Sequence, residues 1–371
     1  MASVPSMGRG DFRGAMGVAV AMAVATWVVA AAYGLPVRDP DGVSVPTWVR
    51  LPAIVLVAVL LDALARWAAY VRATPGNGAW AALRTVVRDR WTREQVWFTL
   101  SGLVAWYVAY VAFRNLKGYL PFVTDRLWDT ELHRLDRLLW LGHDPAVVLH
   151  HVLGTGWAAW LLSGVYVLWI GLVPAALAIA LVWTRRSLTG ALYVTAVSFT
   201  WLLGAAVYYL VPSLGPIYSR PQEFSDLPQT FNTSVQELLL HDRIAVLTDV
   251  WDTRAVQTVA AFASLHVAIT VTTCLVAELL RLPRWVRLSG WTFAALTCLS
   301  TVYLGWHFFV DVLGGFVIGT LALVLAAWTT GHPLRRRDRP WSLGEARARE
   351  QARVRSLTGQ PDASASRSRS A

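Results

Sequence analysis

Residues 261–280 read AFASLHVAITVTTCLVAELL, and residues 300–319 read STVYLGWHFFVDVLGGFVIG. The first is an apolar run of about 20 residues, the length that crosses a bilayer as a helix. The second joins the end of one such run to the start of another. Three polar residues stand out in them: His266, His307 and Asp311. Ionisable groups at the ends of apolar spans are expensive and are retained where function needs them. His307 and Asp311 are four apart, so on a helix they share a face, and the carboxylate can hold one ring nitrogen while the other stays open. A His oriented in this way is half of a nucleophilic or acid–base site. His266, near the start of a neighbouring span, is placed to be the acid. A single His in an apolar segment is ordinarily a satisfied packing residue. Here two His and an Asp all fall at predicted helix starts on one side of the membrane.

The rest of the chain supports a membrane reading. Of its 371 residues, 56% are hydrophobic, and the mean hydropathy is +0.46. Apolar runs recur at about residues 15–33, 51–69, 95–113, 157–183, 189–211, 260–280, 288–306 and 308–329. The expected fold is therefore all-α, a polytopic helical membrane bundle of about eight transmembrane helices. The first run also has the small residues Ala30-Ala31-Ala32 that a cleavable signal peptide would need, but it is long enough to span. Residues 1–94 are expected to form two N-terminal spans with a basic cytoplasmic loop, and 95–330 a six-helix core. Residues 331–371, rich in Arg, Ser and Ala, are expected to be a disordered cytoplasmic tail. Between spans, DRLWDTELHRLDRLLWLG (125–142) has the spacing of an amphipathic helix on the membrane surface. Residues 212–258 are too polar to cross and long enough to cover a site.

The net charge of +10 resides in loops and tail. That distribution sets membrane orientation and argues against a nucleic-acid partner. With the N-terminus inside, the inside segments hold Arg9 and Arg13, the Arg66–Arg93 group, Arg185-Arg186, Arg281, Arg284 and Arg287, and the Arg-rich tail. Both termini are then cytoplasmic, and His266, His307 and Asp311 lie at the outer face. Trp157, Trp183 and Trp306 fit an interfacial belt. Every basic residue but Lys117 is Arg, a bias of GC-rich genomes that points to a bacterial plasma membrane. Cys274 and Cys298 both lie within spans, so no disulfide framework is expected.

Two spans start at the outer face, and helix N-termini favour anions. Ser264 stands at the N-cap position before His266. Gly305 and Gly314-Gly315 permit tight turning or close helix packing. Two His side chains beside anion-friendly helix ends at headgroup level suit a lipid phosphate ester: one His attacks phosphorus, and the other protonates the leaving oxygen.

The order Ser264-Leu265-His266, then Ser300 through His307 to Asp311, resembles the type 2 phosphatidic acid phosphatase superfamily. ASLH with YLGWHFFVDVLGG looks most like its inositolphosphotransferase branch, which includes inositol phosphorylceramide synthases. The resemblance covers about residues 95–329. It implies that His307 forms a phosphohistidine, that Asp311 orients it, and that His266 serves the leaving alcohol and later the acceptor. The family's first motif, Lys followed seven residues later by Arg-Pro, is half present: Arg220-Pro221 matches, but Ser213 stands in place of the Lys. Thr301 replaces the family's Arg, and Ala263 the Pro before Ser-x-His. Another cation should then bind phosphate, with Arg220 and Lys117 the leading candidates and Arg114 the third; Ser264 completes the substrate-binding set. The expected partners are a phospholipid or other lipid-linked phosphate and the bilayer itself.

Transfer to an alcohol and hydrolysis to free phosphate remain open, because water and an alcohol can attack the same phosphohistidine. A metal site built from His266, His307 and Asp311 is a weaker alternative, since no pair of His on one helix with a Glu supports it; no metal and no cofactor are expected. A non-enzymatic transporter or scaffold would need broken helices and mid-span charges. His150-His151 is expected in a surface helix, and His133, His143, His241 and His332 have no partner at a telling spacing.

Overall fold

A computed structural model describes residues 12–40, 47–74, 78–183, 187–256 and 259–332. Arg9, the Arg185-Arg186 loop and the tail expected to be disordered beyond His332 lie outside them. The fold is all-helical, 80% helix, with no strand among the described residues. In order the helices are α1 (Arg13–Tyr33), α2 (Thr47–Ala73), α3 (Ala79–Arg90), α4 (Arg93–Val123), α5 (Asp129–Leu139), α6 (Pro145–Leu153) and α7 (Trp157–Ala178). After a π-helical turn, Ile179–Trp183, come α8 (Ser187–Leu210), α9 (Pro216–Ser219) and the 3₁₀ turn Pro221–Phe224. The chain then forms α10 (Phe231–Thr248), α11 (Leu265–Leu279), α12 (Arg284–Tyr303) and α13 (Phe309–Thr330).

By length and composition, six of these helices could cross a membrane: α1, α2, α4, α7 with its π turn, α8 and α13. α11 is apolar but has only 15 residues. The expectation of about eight spans is thus matched for six of them.

The core centres on α8. Ala191, Leu192, Val194, Ala196 and Val197 have no exposed surface, the pattern of a helix apolar all round and packed on every side. Its Ser198 and Thr200 hydroxyls bond carbonyls one turn back, which lets polar side chains sit there. Around it stand α1, α4, α11 and α13. α1 is part of this core: Ala15, Ala19 and Met22 are buried within it, and Thr26 Oγ1 reaches the Ala112 carbonyl of α4 at 3.3 Å.

Helices α11 and α13 cross with their backbones nearly touching. A Cβ on Gly315 would lie 2.6 Å from the Ser264 carbonyl oxygen, and one on Gly319 2.6 Å from that of Ala268. This is the close approach that small residues four apart permit. It brings His266, at the start of α11, against the start of α13.

The interhelical segments are more structured than the sequence suggests. The basic loop after α2 contains α3, and the polar stretch 212–258 contains α9 and α10. α5 is amphipathic as expected, but its polar side faces the protein. Asp129, Leu132, His133 and Asp136 are buried, whereas Leu138 is 74% exposed. The belt assignment of Trp306 is corrected: its side chain is buried in the protein, stacks on Tyr166 with ring centroids 5.0 Å apart, and donates to Asn232 Oδ1 at 2.6 Å.

Candidate active site

The start of α13 is built around Asp311. Its Oδ2 accepts the Phe308 N–H at 3.0 Å, an N-terminal cap, and lies 3.2 Å from His307 Nδ1. Its Oδ1 is buried without a hydrogen-bond partner among the described residues. Its backbone carbonyl accepts the Ser264 N–H at 3.0 Å. One residue therefore sets the His307 ring and pins the start of α11. With Nδ1 facing a carboxylate, His307 presents Nε2, which lies 3.1 Å from His266 Nδ1. The result is a continuous Asp311–His307–His266 line. His307 and Asp311 are buried, and His266 is half-buried.

Aromatic side chains wall the His266 side. Trp169 lies 4.4 Å and Tyr166 5.1 Å from the imidazole, centroid to centroid. The Trp169 indole N–H lies 2.9 Å from Thr270 Oγ1 and 3.1 Å from the His266 carbonyl, which also accepts the Thr270 hydroxyl. The backbone that carries His266 is thereby fixed from α7.

The segment 304–308 ahead of α13 is held from several directions. Gly305 adopts φ +75°, and a Cβ there would meet the Phe224 ring at 2.8 Å, so only glycine makes this turn without displacement. The Gly305 carbonyl accepts the Ile217 N–H at 2.9 Å, and the Leu304 carbonyl accepts from Gln236 Nε2 at 2.8 Å. Ile217, Phe224 and Gln236, from the polar stretch after α8, thus hold the turn ahead of α13. On α5, Asp136 accepts the Phe309 and Val310 N–H groups at 2.7 and 2.8 Å, and Asp129 accepts those of Leu214 and Gly215. Burial pushes the Asp136 carboxyl up to about 7 despite these bonds, and burial raises Asp129 as well.

These contacts revise two expectations. The first-turn N–H groups of α13 are occupied by Asp136, so that helix end is not an open anion site. Ser264 is fully buried, and its Oγ caps α11 by accepting the Val267 N–H at 3.4 Å; it positions His266 from there.

Of the three cations singled out in the sequence, Lys117 stands on α4 with its ammonium 5.2 Å from the ring centroid of Tyr208 on α8. No carboxylate pairs with it among the described residues. Arg220 is bonded to Glu223 Oε1 at 3.1 Å. Arg114 donates to the Tyr110 hydroxyl at 2.7 Å and to the Pro40 carbonyl at 3.4 Å. Ser213, where the resembled family has a cation, is a backbone clasp: its Oγ accepts the Phe262 N–H at 2.9 Å and its carbonyl the Ala261 N–H at 3.0 Å. Ser300 and Thr301 are likewise spent on backbone carbonyls, those of Leu162 and Cys298.

Sequence reasoning missed Asp136, Asp129, Trp169 and His150, whose Nε2 lies 2.8 Å from the Tyr303 carbonyl. The acidic pair had a signal, because Asp129 and Asp136 are seven apart and share a face with Leu132 and His133.

The site is thus a carboxylate–imidazole–imidazole line in an all-helical chain with six helices long and apolar enough to cross a membrane. A model of the PAP2 superfamily matches residues 130–325, more than half of the chain, and the chain belongs to that superfamily. Its members are in general phosphatases and phosphotransferases that act on lipid phosphates in membranes. No curated protein and no solved structure matches the chain.

Proposed function

We propose that this chain is a phosphotransferase that takes a phosphoryl-bearing headgroup from a lipid-linked ester and passes it to an acceptor alcohol through a phosphohistidine on His307. The observation that carries the reading is the Asp311–His307–His266 line, at 3.2 and 3.1 Å. His307 Nε2 attacks phosphorus while Asp311 stabilises the charge that grows on the ring. The bond from phosphorus to the lipid oxygen breaks, and His266 gives that oxygen a proton. Neutral His266 then takes the proton of the acceptor hydroxyl, which attacks phosphorus and releases His307. Lys117 neutralises the phosphate, assisted by the first N–H groups of α11. Arg220 needs a change of partner to join them.

Transfer is favoured over hydrolysis by the aromatic wall of Tyr166, Trp169 and Trp306, which limits water at the phosphohistidine. The cations absent at Ser213 and Thr301 support the inositolphosphotransferase-like branch. The distribution of Arg supports a site at the extracytoplasmic face.

Leaving-group dependence in the two His variants tests the roles. With lipid esters both His307→Ala and His266→Ala are expected to be inactive. With a nitrophenyl phosphate ester, whose leaving group needs no proton, His266→Ala recovers turnover and His307→Ala does not. Recovery in His307→Ala alone reverses the roles and overturns the assignment.

A further inference from the structure

Some distance along α5 from the proposed catalytic line lies a second cluster of polar groups. His133, on the buried face of α5, points its Nδ1 at Asp144 Oδ2, 3.2 Å away. Glu223, from the 3₁₀ turn, completes a triangle in which the three donor atoms all lie within 4.8 Å of one another. Each residue has its other capacity spent or its orientation fixed. Asp144 Oδ1 caps α6 by accepting the Ala146 and Val147 N–H groups at 2.8 and 3.2 Å, which leaves Oδ2 facing inward. Glu223 Oε1 accepts from Arg220, which leaves Oε2. Glu223 Oε2 is buried without a hydrogen-bond partner among the described residues, and His133, only 6% exposed, turns its Nδ1 to the same point through Asp144 Oδ2. Two carboxylate oxygens and one imidazole nitrogen converging on one buried point form an arrangement that costs free energy unless a cation lies among them.

We propose that His133, Asp144 and Glu223 bind a divalent transition metal, with zinc as the type ion, at a structural site distinct from the His266–His307 pair. One imidazole and two carboxylates are a donor set that zinc takes readily, with water completing the coordination. Arg220 and Arg137 are nearby cations that oppose the ion, and the bond of Arg220 to Oε1 is also what turns Oε2 toward the site.

Such an ion would staple α5, the start of α6 and the Pro221–Phe224 turn. Those elements hold the catalytic segment: Asp136 caps α13, and Phe224 lies against Gly305. The metal would stabilise these elements and take no part in the reaction.

The test uses the full chain, purified in detergent and stripped with a chelator, titrated with zinc chloride against a chromophoric competitor, with thermal unfolding followed in parallel. One zinc per chain is expected, with a rise in Tm. Glu223→Gln keeps a carbonyl oxygen for Arg220 and is expected to weaken binding at least about tenfold and to remove the Tm rise. His133→Ala is expected to do the same, while His266→Ala and His307→Ala retain both. Absence of saturable zinc binding in the stripped wild type, with Tm unchanged by the chelator, overturns the proposal; Asp144 and Glu223 then share a proton instead. Binding that survives Glu223→Gln, or that is lost in His266→Ala, also overturns it. No readout depends on turnover, so the outcome is separate from that of the proposed reaction.

Discussion

The contact between Asp136 and the start of α13 spans 173 positions in sequence and fixes the segment that carries His307 and Asp311. Asp136→Ala leaves the Phe309 and Val310 N–H groups without acceptors in a site where Asp136 itself is 3% exposed. A buried, orphaned donor costs about 1–3 kcal/mol, so the pair sets a loss of roughly 2–6 kcal/mol, shared between stability and positioning. If only a third of it falls on His307 placement, about 0.7–2 kcal/mol, the rate drops by about three- to thirtyfold, since 1.4 kcal/mol is a factor of ten. The carboxyl also gives a pH signature. Its value in the fold, about 7, lies above the ordinary 3.8, so the fold binds its proton more tightly than the unfolded chain does. Its contribution to stability is therefore fully present below about pH 4, and it is lost as pH rises to about 7, by up to roughly 4 kcal/mol. Asp136→Asn does not titrate. The Tm of the wild type relative to Asp136→Asn should fall between about pH 4 and pH 7 and level off above. Thermal unfolding across pH, with turnover measured beside it, checks both arms. A wild-type rate in Asp136→Ala, or parallel Tm profiles for wild type and Asp136→Asn, would refute the reasoning.

Lys117→Met should raise KM for a lipid phosphate by about 10–100-fold, the worth of a charge-assisted bond, while Arg114→Ala changes it little; equal effects in steady-state assays would remove Lys117 from the phosphate site. Gly315→Ala drives a Cβ to 2.6 Å from the Ser264 carbonyl and should cost activity through the α11–α13 crossing, whereas Gly164→Ala, with nothing within 4 Å, should not; circular dichroism and turnover of the pair decide this. A cysteine placed at Ser225 should react with an impermeant reagent in intact cells and one at Ser342 should not; the reverse pattern would move the site to the cytoplasm.

The parts of the fold that were legible are those dictated by local pattern. Long apolar runs gave the spans, and polar residues within them gave His266, His307 and Asp311, because in that setting each has few bland explanations. The i, i+4 spacing carried the His307–Asp311 contact. What was hidden depends on the path of the chain. Nothing local to Asp136 says that it reaches Phe309, and nothing near Trp169 says that its indole meets the His266 carbonyl. Composition alone misled at α3 and α10, where basic or polar sequence reads as loop although the helix packs one face and exposes the other. Among the cations, the sequence put Arg220 and Lys117 ahead of Arg114. Only the paths of α4 and of the segment around the Pro221–Phe224 turn separate the lysine set over Tyr208 from arginines engaged by Glu223, Tyr110 and Pro40.

The central claim is covalent chemistry at His307, and trapping tests it most directly. Purified protein is mixed with phosphatidic acid or phosphatidylinositol labelled at phosphorus, with the acceptor withheld, and quenched in alkali. The account predicts label on the protein that is stable to base, labile to acid, mapped to His307, retained in Arg114→Ala and absent in His307→Ala. Turnover without any trapped label, or label that maps to another residue or survives acid, would contradict it.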